Sequence, residues 1–78
     1  MLQRHLRNGM RKLTPAQIKR SRERLEMTQA EFCKAFHLEM RTYQKWEIGE
    51  KPPSASAAVL LWLIDRIPAA IIRAIKDD

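Results

Sequence analysis

The stretch EMRTYQKWEIG, residues 39–49, concentrates side chains able to form directional hydrogen bonds. At about 100° per residue, a helix here sets Met40, Arg41, Gln44, Lys45 and Ile48 on one arc. Thr42, Tyr43, Trp46 and Glu47 share the other. A guanidinium fork, a carboxamide and an ammonium on one face suit a surface rich in hydrogen-bonding edges. A plain hydrated face is the alternative. The two aromatics opposite would anchor the helix from beneath.

Cys33 and His37 are the other reactive pair, four residues apart and therefore able to share a helical face. They fall short of a metal site, because tetrahedral zinc takes four ligands and only His5 remains as a further His or Cys. No oxyanion-stabilising motif accompanies them, so neither a metal, a cofactor nor catalysis is expected. A core cysteine and a turn histidine are the expected roles, and the two tryptophans likewise read as core.

Composition limits what surrounds these groups. Seventy-eight residues make one domain with a small core, and a 45% hydrophobic fraction argues for a folded chain. The formal net charge is +6, and it is uneven. Residues 1–24 carry eight Lys/Arg against Glu23 alone, a balance of +7. Such a basic segment favours a polyanion, nucleic acid above all, over a solubilising tail. An anionic membrane fits less well, because residues 1–12 lack a clear apolar face. The basic N-terminus is followed by no apolar signal core, and the apolar run from Ala57 to Ile64 is too short to span a bilayer. A cytoplasmic protein is expected.

The elements that must position the arc can be read from their ends. Residues 1–13 form a basic arm, a helical stripe through Leu2, Leu6, Met10 and Leu13 being weakened by Gly9. In TPAQ, Thr14 caps, Pro15 takes the first helical position and Gln17 closes a capping box. The first helix then runs to about Leu25, with Ile18, Leu25 and either Arg22 or Ser21 inward. In TQAE, Thr28 caps and Glu31 reaches back, opening a short second helix with Ala30, Phe32, Cys33 and Phe36 as its apolar positions. The third helix ends at Gly49. Pro52 and Pro53 hold a loop, and Ser54 caps a fourth helix to about Arg66. Its segment AAVLLWLI is apolar nearly all round and should be buried on more than one side. A fifth helix runs from Pro68 to about Lys76. The expectation is an all-α bundle of five short helices, with residues 14–78 as the domain.

The second and third helices, joined by about four residues, have the layout of a helix-turn-helix. MTQAEFCKAFHLEMRTYQKWEIGEKPP resembles the Cro/repressor-like, or XRE-type, helix-turn-helix family. TQAE, the apolar position near Leu38, the WE-x-G ending and the proline beyond match in order and spacing. The tail PPSASAAVLLWLIDRIPAAIIRAI resembles, more loosely, the antitoxin-type members of small autoregulated operons. The resemblance implies a lambda-repressor-like fold whose third helix enters the major groove.

By that resemblance Met40, Arg41 and Lys45 read bases, with Gln44 and Glu39 beside them. The chemistry agrees: Arg or Lys pairs with guanine, Gln with adenine, and Met40 suits a thymine methyl. Gln29, at the start of the second helix, and Lys51, in the loop after the third, suit phosphates. Lys19, Arg20 and the arm residues Arg4, Arg7, Arg11 and Lys12 are further backbone candidates, with hydration as the alternative for each. The arm has a second route, into the minor groove. The resemblance also implies a structural salt bridge between Arg22 and Glu47. Three positions depart from the family pattern: Cys33 replaces a small residue, His37 the turn glycine and Glu39 the usual Ser or Thr cap. Glu39 is expected to cap poorly, with the turn tighter or displaced. Leu60, Trp62, Leu63, Ile67, Ile71 and Ile75 exceed what so small a core needs and are expected to form a dimer surface, unless the core consumes them. The functional expectation is a non-enzymatic, homodimeric repressor on double-stranded DNA, controlled by its concentration, its degradation or a partner. An antitoxin that neutralises a toxin protein, or a mobile-element regulator, is the alternative.

Overall fold

The computed structural model describes residues 13–77 and contains five helices among them. They are α1 (Pro15–Arg24), α2 (Gln29–Phe36), α3 (Met40–Glu47), α4 (Ala55–Arg66) and α5 (Pro68–Asp77). No strand occurs among the described residues, so the all-α class holds.

Local chemistry sets most of the boundaries. The Thr14 hydroxyl accepts from Gln17 N at 3.1 Å, while Gln17 Oε1 accepts from Thr14 N at 2.8 Å. Thr28 and Glu31 repeat this reciprocal cap at the same two distances. Each box satisfies two N–H groups that a helix start leaves without partners. The α2 C-terminus closes at His37, which takes φ 57 and ψ 46 in the left-handed region. Gly49, at φ +76, ends α3. A Cβ there would lie 3.3 Å from Pro15 Cγ, so this position needs glycine both for its dihedral and for its approach to α1.

Glu39 corrects one expectation. Its carboxylate accepts from the backbone N–H groups of Arg41 and Thr42 and from the Thr42 hydroxyl, the last at 2.6 Å. The side chain is longer than the usual cap, but it folds back far enough to take three donors. Glu39 therefore caps α3 well, giving partners to two of its first backbone N–H groups, and no displaced turn is needed.

The core is built by α1–α4, and α5 packs against it through the half-buried Ile71, Ile72 and Ile75. Ile18, Phe32, Cys33, Phe36, Tyr43, Trp46, Leu61 and Ile64 are buried in one cluster. Phe32 stands 4.8 Å from Phe36 and 5.1 Å from Tyr43 between ring centroids, and Tyr43 meets Trp46 edge-on at 5.9 Å. These separations are favourable for aromatic pairs, and the chain of rings locks α2 against α3. Ala30 does not join them; it is exposed.

Helix α4 is covered unevenly. Only Leu61 and Ile64 are fully buried, and Val59 is 38% exposed. The chain then turns by 111° into α5, leaving Ile67 at the corner 46% exposed. The expected burial on more than one side is met by α1 and α5, which both pack on α4, and Val59 alone of residues 57–64 is exposed. No single helix among the described residues is long and apolar enough to cross a membrane.

Candidate nucleic-acid interface

Helix α3 divides as its spacing requires. Tyr43 and Trp46 are buried beneath it, while Arg41 and Lys45 are exposed on its outer face. Gln44 is half-buried beside them. Met40 lies half-buried against the core cluster, so part of its thioether surface is spent there. Ile48, at the end of the same arc, is 72% exposed.

A polar network fixes this face to the rest of the molecule. Arg22 Nε donates to Glu47 Oε2 at 2.7 Å and Nη2 donates to Oε1 at 3.0 Å. Arg22 Nη1 also donates to the Met27 carbonyl at 3.0 Å, so one guanidinium binds α1, the α1–α2 turn and α3. Gln29 Nε2 donates to Glu47 Oε1 at 3.0 Å, and Gln29 Oε1 accepts from Gln44 Nε2 at 3.1 Å. The first residue of α2 is thus tied to a residue on the outer face of α3. Burial works to raise the Glu47 carboxyl, but hydrogen bonds to its charged form prevail and hold it below the usual carboxylate range. The bonds to Glu47 from Arg22 in turn push the guanidinium further up. The Tyr43 hydroxyl, fully buried, lies near this pair without an ordinary hydrogen bond, and burial drives its phenol upward.

The other expected residues are dispersed. Lys51 is exposed, its backbone N–H reaching the Lys45 carbonyl at 3.4 Å. Lys19 is exposed on α1. Arg20 instead lines a cleft of about 300 Å³ between α1 and α4, with Gln17, Arg24, Trp62, Asp65 and Arg66, and no residue of α2 or α3 borders it. Arg4, Arg7, Arg11 and Lys12 lie outside the described residues. Glu39 is exposed and accepts three capping hydrogen bonds, and the Thr42 and Arg41 donors hold its carboxyl below the usual range. Among the proposed dimer residues, Leu60, Ile71 and Ile75 pack against the core, whereas Trp62 and Leu63 are half-buried outside it and Ile67 is exposed. The Arg66 guanidinium sits 4.8 Å above the Trp62 ring.

Two ties went unread in the sequence. Ser21 Oγ donates to Asp65 Oδ1 at 2.6 Å, and Arg24 pairs with the same carboxylate, joining α1 to α4. Partners more than 40 residues apart leave no local pattern. Cys33 is buried, and burial pushes its thiol up, away from nucleophilic use. No group of three or more His, Cys, Asp or Glu among the described residues is arranged for a metal.

A short α2, a left-handed turn at His37 and an amphipathic α3 with cations outward define a protein of the helix-turn-helix class. A sequence profile described as helix-turn-helix matches residues 18–61. The chain belongs to this Cro/repressor-like, XRE-type family of DNA-binding domains. It is similar to Antitoxin HigA-2 of Vibrio cholerae serotype O1, at 32% identity over 63 residues. The match takes in 81% of this chain and 61% of that relative's length.

Proposed function

We propose that this chain is a sequence-specific transcriptional repressor that binds an inverted repeat as a homodimer and regulates its own operon from the cytoplasm. The observation that carries this reading is the outward display of Arg41 and Lys45 over a buried Tyr43–Trp46 support. A major groove about 12 Å wide admits such a helix, and guanine offers O6 and N7 to either cation. Gln44 is oriented by Gln29 and suits adenine. Gln29, at the α2 N-terminus, and Lys51 suit phosphates on either side. Residues 1–13 serve as a basic arm, adding phosphate or minor-groove contacts, and residues 14–78 as the reading and pairing domain.

Two-fold pairing supplies the second half-site that so short a helix needs. The exposed Val59 and Ile67, with Trp62 and Leu63 between them, offer the apolar surface for it.

A footprint on DNA upstream of the chain's own reading frame tests the proposal. Arg41→Ala and Lys45→Ala should each weaken operator binding by about 1–3 kcal/mol and spare binding to random duplex. Equal losses on both DNAs would assign the two residues to phosphates. Light scattering at micromolar protein should give twice the monomer mass, reduced by Leu63→Glu.

A second reading follows from the similarity to Antitoxin HigA-2: neutralisation of a toxin by direct binding, with repression secondary. Growth rescue by Arg41→Ala/Lys45→Ala, co-expressed with a toxic neighbouring reading frame, would favour it.

A further inference from the structure

Ile48 is the most exposed of the large apolar side chains among the described residues, at 72%. A lone exposed isoleucine is ordinary in itself. Its position is not. It lies one turn beyond Gln44 and Lys45 and two turns beyond Arg41, at the C-terminal end of the outward face and angularly between Gln44 and Arg41. As the α3 C-cap, at φ −92 and ψ 0, it closes the last helical turn through its N–H while its side chain stays open to solvent. A β-branched residue has no helical advantage there, and a polar one would be better hydrated. Met40, the other apolar residue on the arc, is half-buried against the core. The arc therefore keeps one freely presented apolar group among its hydrogen-bonding ones.

Resting on the DNA-binding reading above, we propose that Ile48 is a specificity-determining residue that reads a thymine through its C5-methyl group. A partner that lies along the full length of α3 while engaging Arg41 and Lys45 also covers Ile48, since all three share one face. In a major groove the thymine methyl is the one apolar feature on the base edges. Arg41 and Ile48 are separated by about 10 Å along the helix axis, at 1.5 Å per residue. Val59 and Ile67 do not compete for this role, because both belong to α4 and its corner.

The test is selection from a randomised duplex library with the full wild-type chain and with Ile48→Ser. Each enriched site is then titrated again with single thymines replaced by deoxyuridine, which lacks only the methyl. The wild type should lose about fourfold in affinity at one thymine, as burial of one methyl-sized group implies. Ile48→Ser should show no penalty at that position, while keeping its preferences at the bases read by Arg41 and Lys45. The variant should melt like the wild type, since the side chain supports no packing. An enriched site at which deoxyuridine costs nothing, or costs the variant as much as the wild type, overturns the assignment of Ile48 alone. A wild-type chain that enriches no sequence overturns the repressor reading on which it rests.

Discussion

Arg22 and Glu47, 25 residues apart in the chain, meet through two parallel hydrogen bonds of 2.7 and 3.0 Å. Their side chains are only 12% and 4% exposed. A two-point arginine–carboxylate pair fixes orientation as well as distance, so α3 cannot rotate without breaking it. The cost of desolvating both charges means the pair need add little net stability, yet removing one partner strands the other. Arg22→Met should therefore cost about 3–5 kcal/mol in chemical denaturation. Arg22→Met with Glu47→Leu should recover most of that loss. A double variant no more stable than the single one would show that the pair itself, and not the stranded charge, holds the fold.

The same pair sets a pH dependence. Hydrogen bonding holds the folded-state Glu47 carboxyl below its ordinary value, against the pull of burial. Its contribution is thus present above the unfolded value of about 4.3 and is lost as pH falls through the folded one. The melting temperature of the wild type should exceed that of Glu47→Gln at pH 7, and the gap should narrow as the pH is lowered toward 3. A gap that stays constant would mean the carboxylate charge is not what the fold uses.

Tyr43 is fully buried, but its hydroxyl lacks an ordinary hydrogen bond. The ring stabilises and the oxygen does not. Tyr43→Phe should change stability by less than about 1 kcal/mol, or raise it, because it removes a buried polar atom without a partner. Tyr43→Ala should cost about 3–5 kcal/mol through the cavity it leaves under α3. Denaturant midpoints of the two variants separate ring from hydroxyl.

Legibility followed the distance between partners. Both capping boxes join residues three apart, and their Thr-x-x-Gln and Thr-x-x-Glu patterns place the starts of α1 and α2. The alternation of buried Tyr43 and Trp46 with exposed Arg41 and Lys45 is visible as helical period. The Arg22–Glu47 pair is implied by family resemblance, not by any local pattern in this chain. Ser21, Arg24 and Asp65 form a tie that neither route reveals. Glu39 departs from its sequence expectation because cap preferences rank short side chains, whereas its carboxylate reaches back to Thr42. The division of α4 and α5 between core and surface depends on the 111° corner at Ile67, which apolar spacing does not encode.

His37 occupies the left-handed region at φ 57, where a Cβ is costly and glycine is not. Its backbone N–H and that of Leu38 both reach the Cys33 carbonyl, so the turn geometry is set by the backbone. His37→Gly should raise stability by up to about 1 kcal/mol, or roughly 4–8 °C in Tm for a domain this size. His37→Val should lower it, since a β-branched residue resists this dihedral most. Glu26, at φ 56 in the α1–α2 turn, should respond to glycine in the same direction. An unchanged Tm in both glycine variants would mean the turns carry no strain.

The charge of residues 1–12 makes a separate prediction, about salt. Arg4, Arg7, Arg11 and Lys12 lie in this segment, with no acidic residue among the twelve. Each phosphate that a cation neutralises adds about 0.9 to the slope of log affinity against log salt. If all four touch phosphates, deletion of residues 1–12 should flatten that slope by about 3 to 4. Operator and random DNA should respond alike, because phosphate contacts carry no base information. Titrations between about 50 and 200 mM salt, where the effect is large, measure the change. A deletion that leaves the slope intact assigns the arm's charge to hydration. A loss confined to the operator assigns it to the minor groove, whose width varies with sequence.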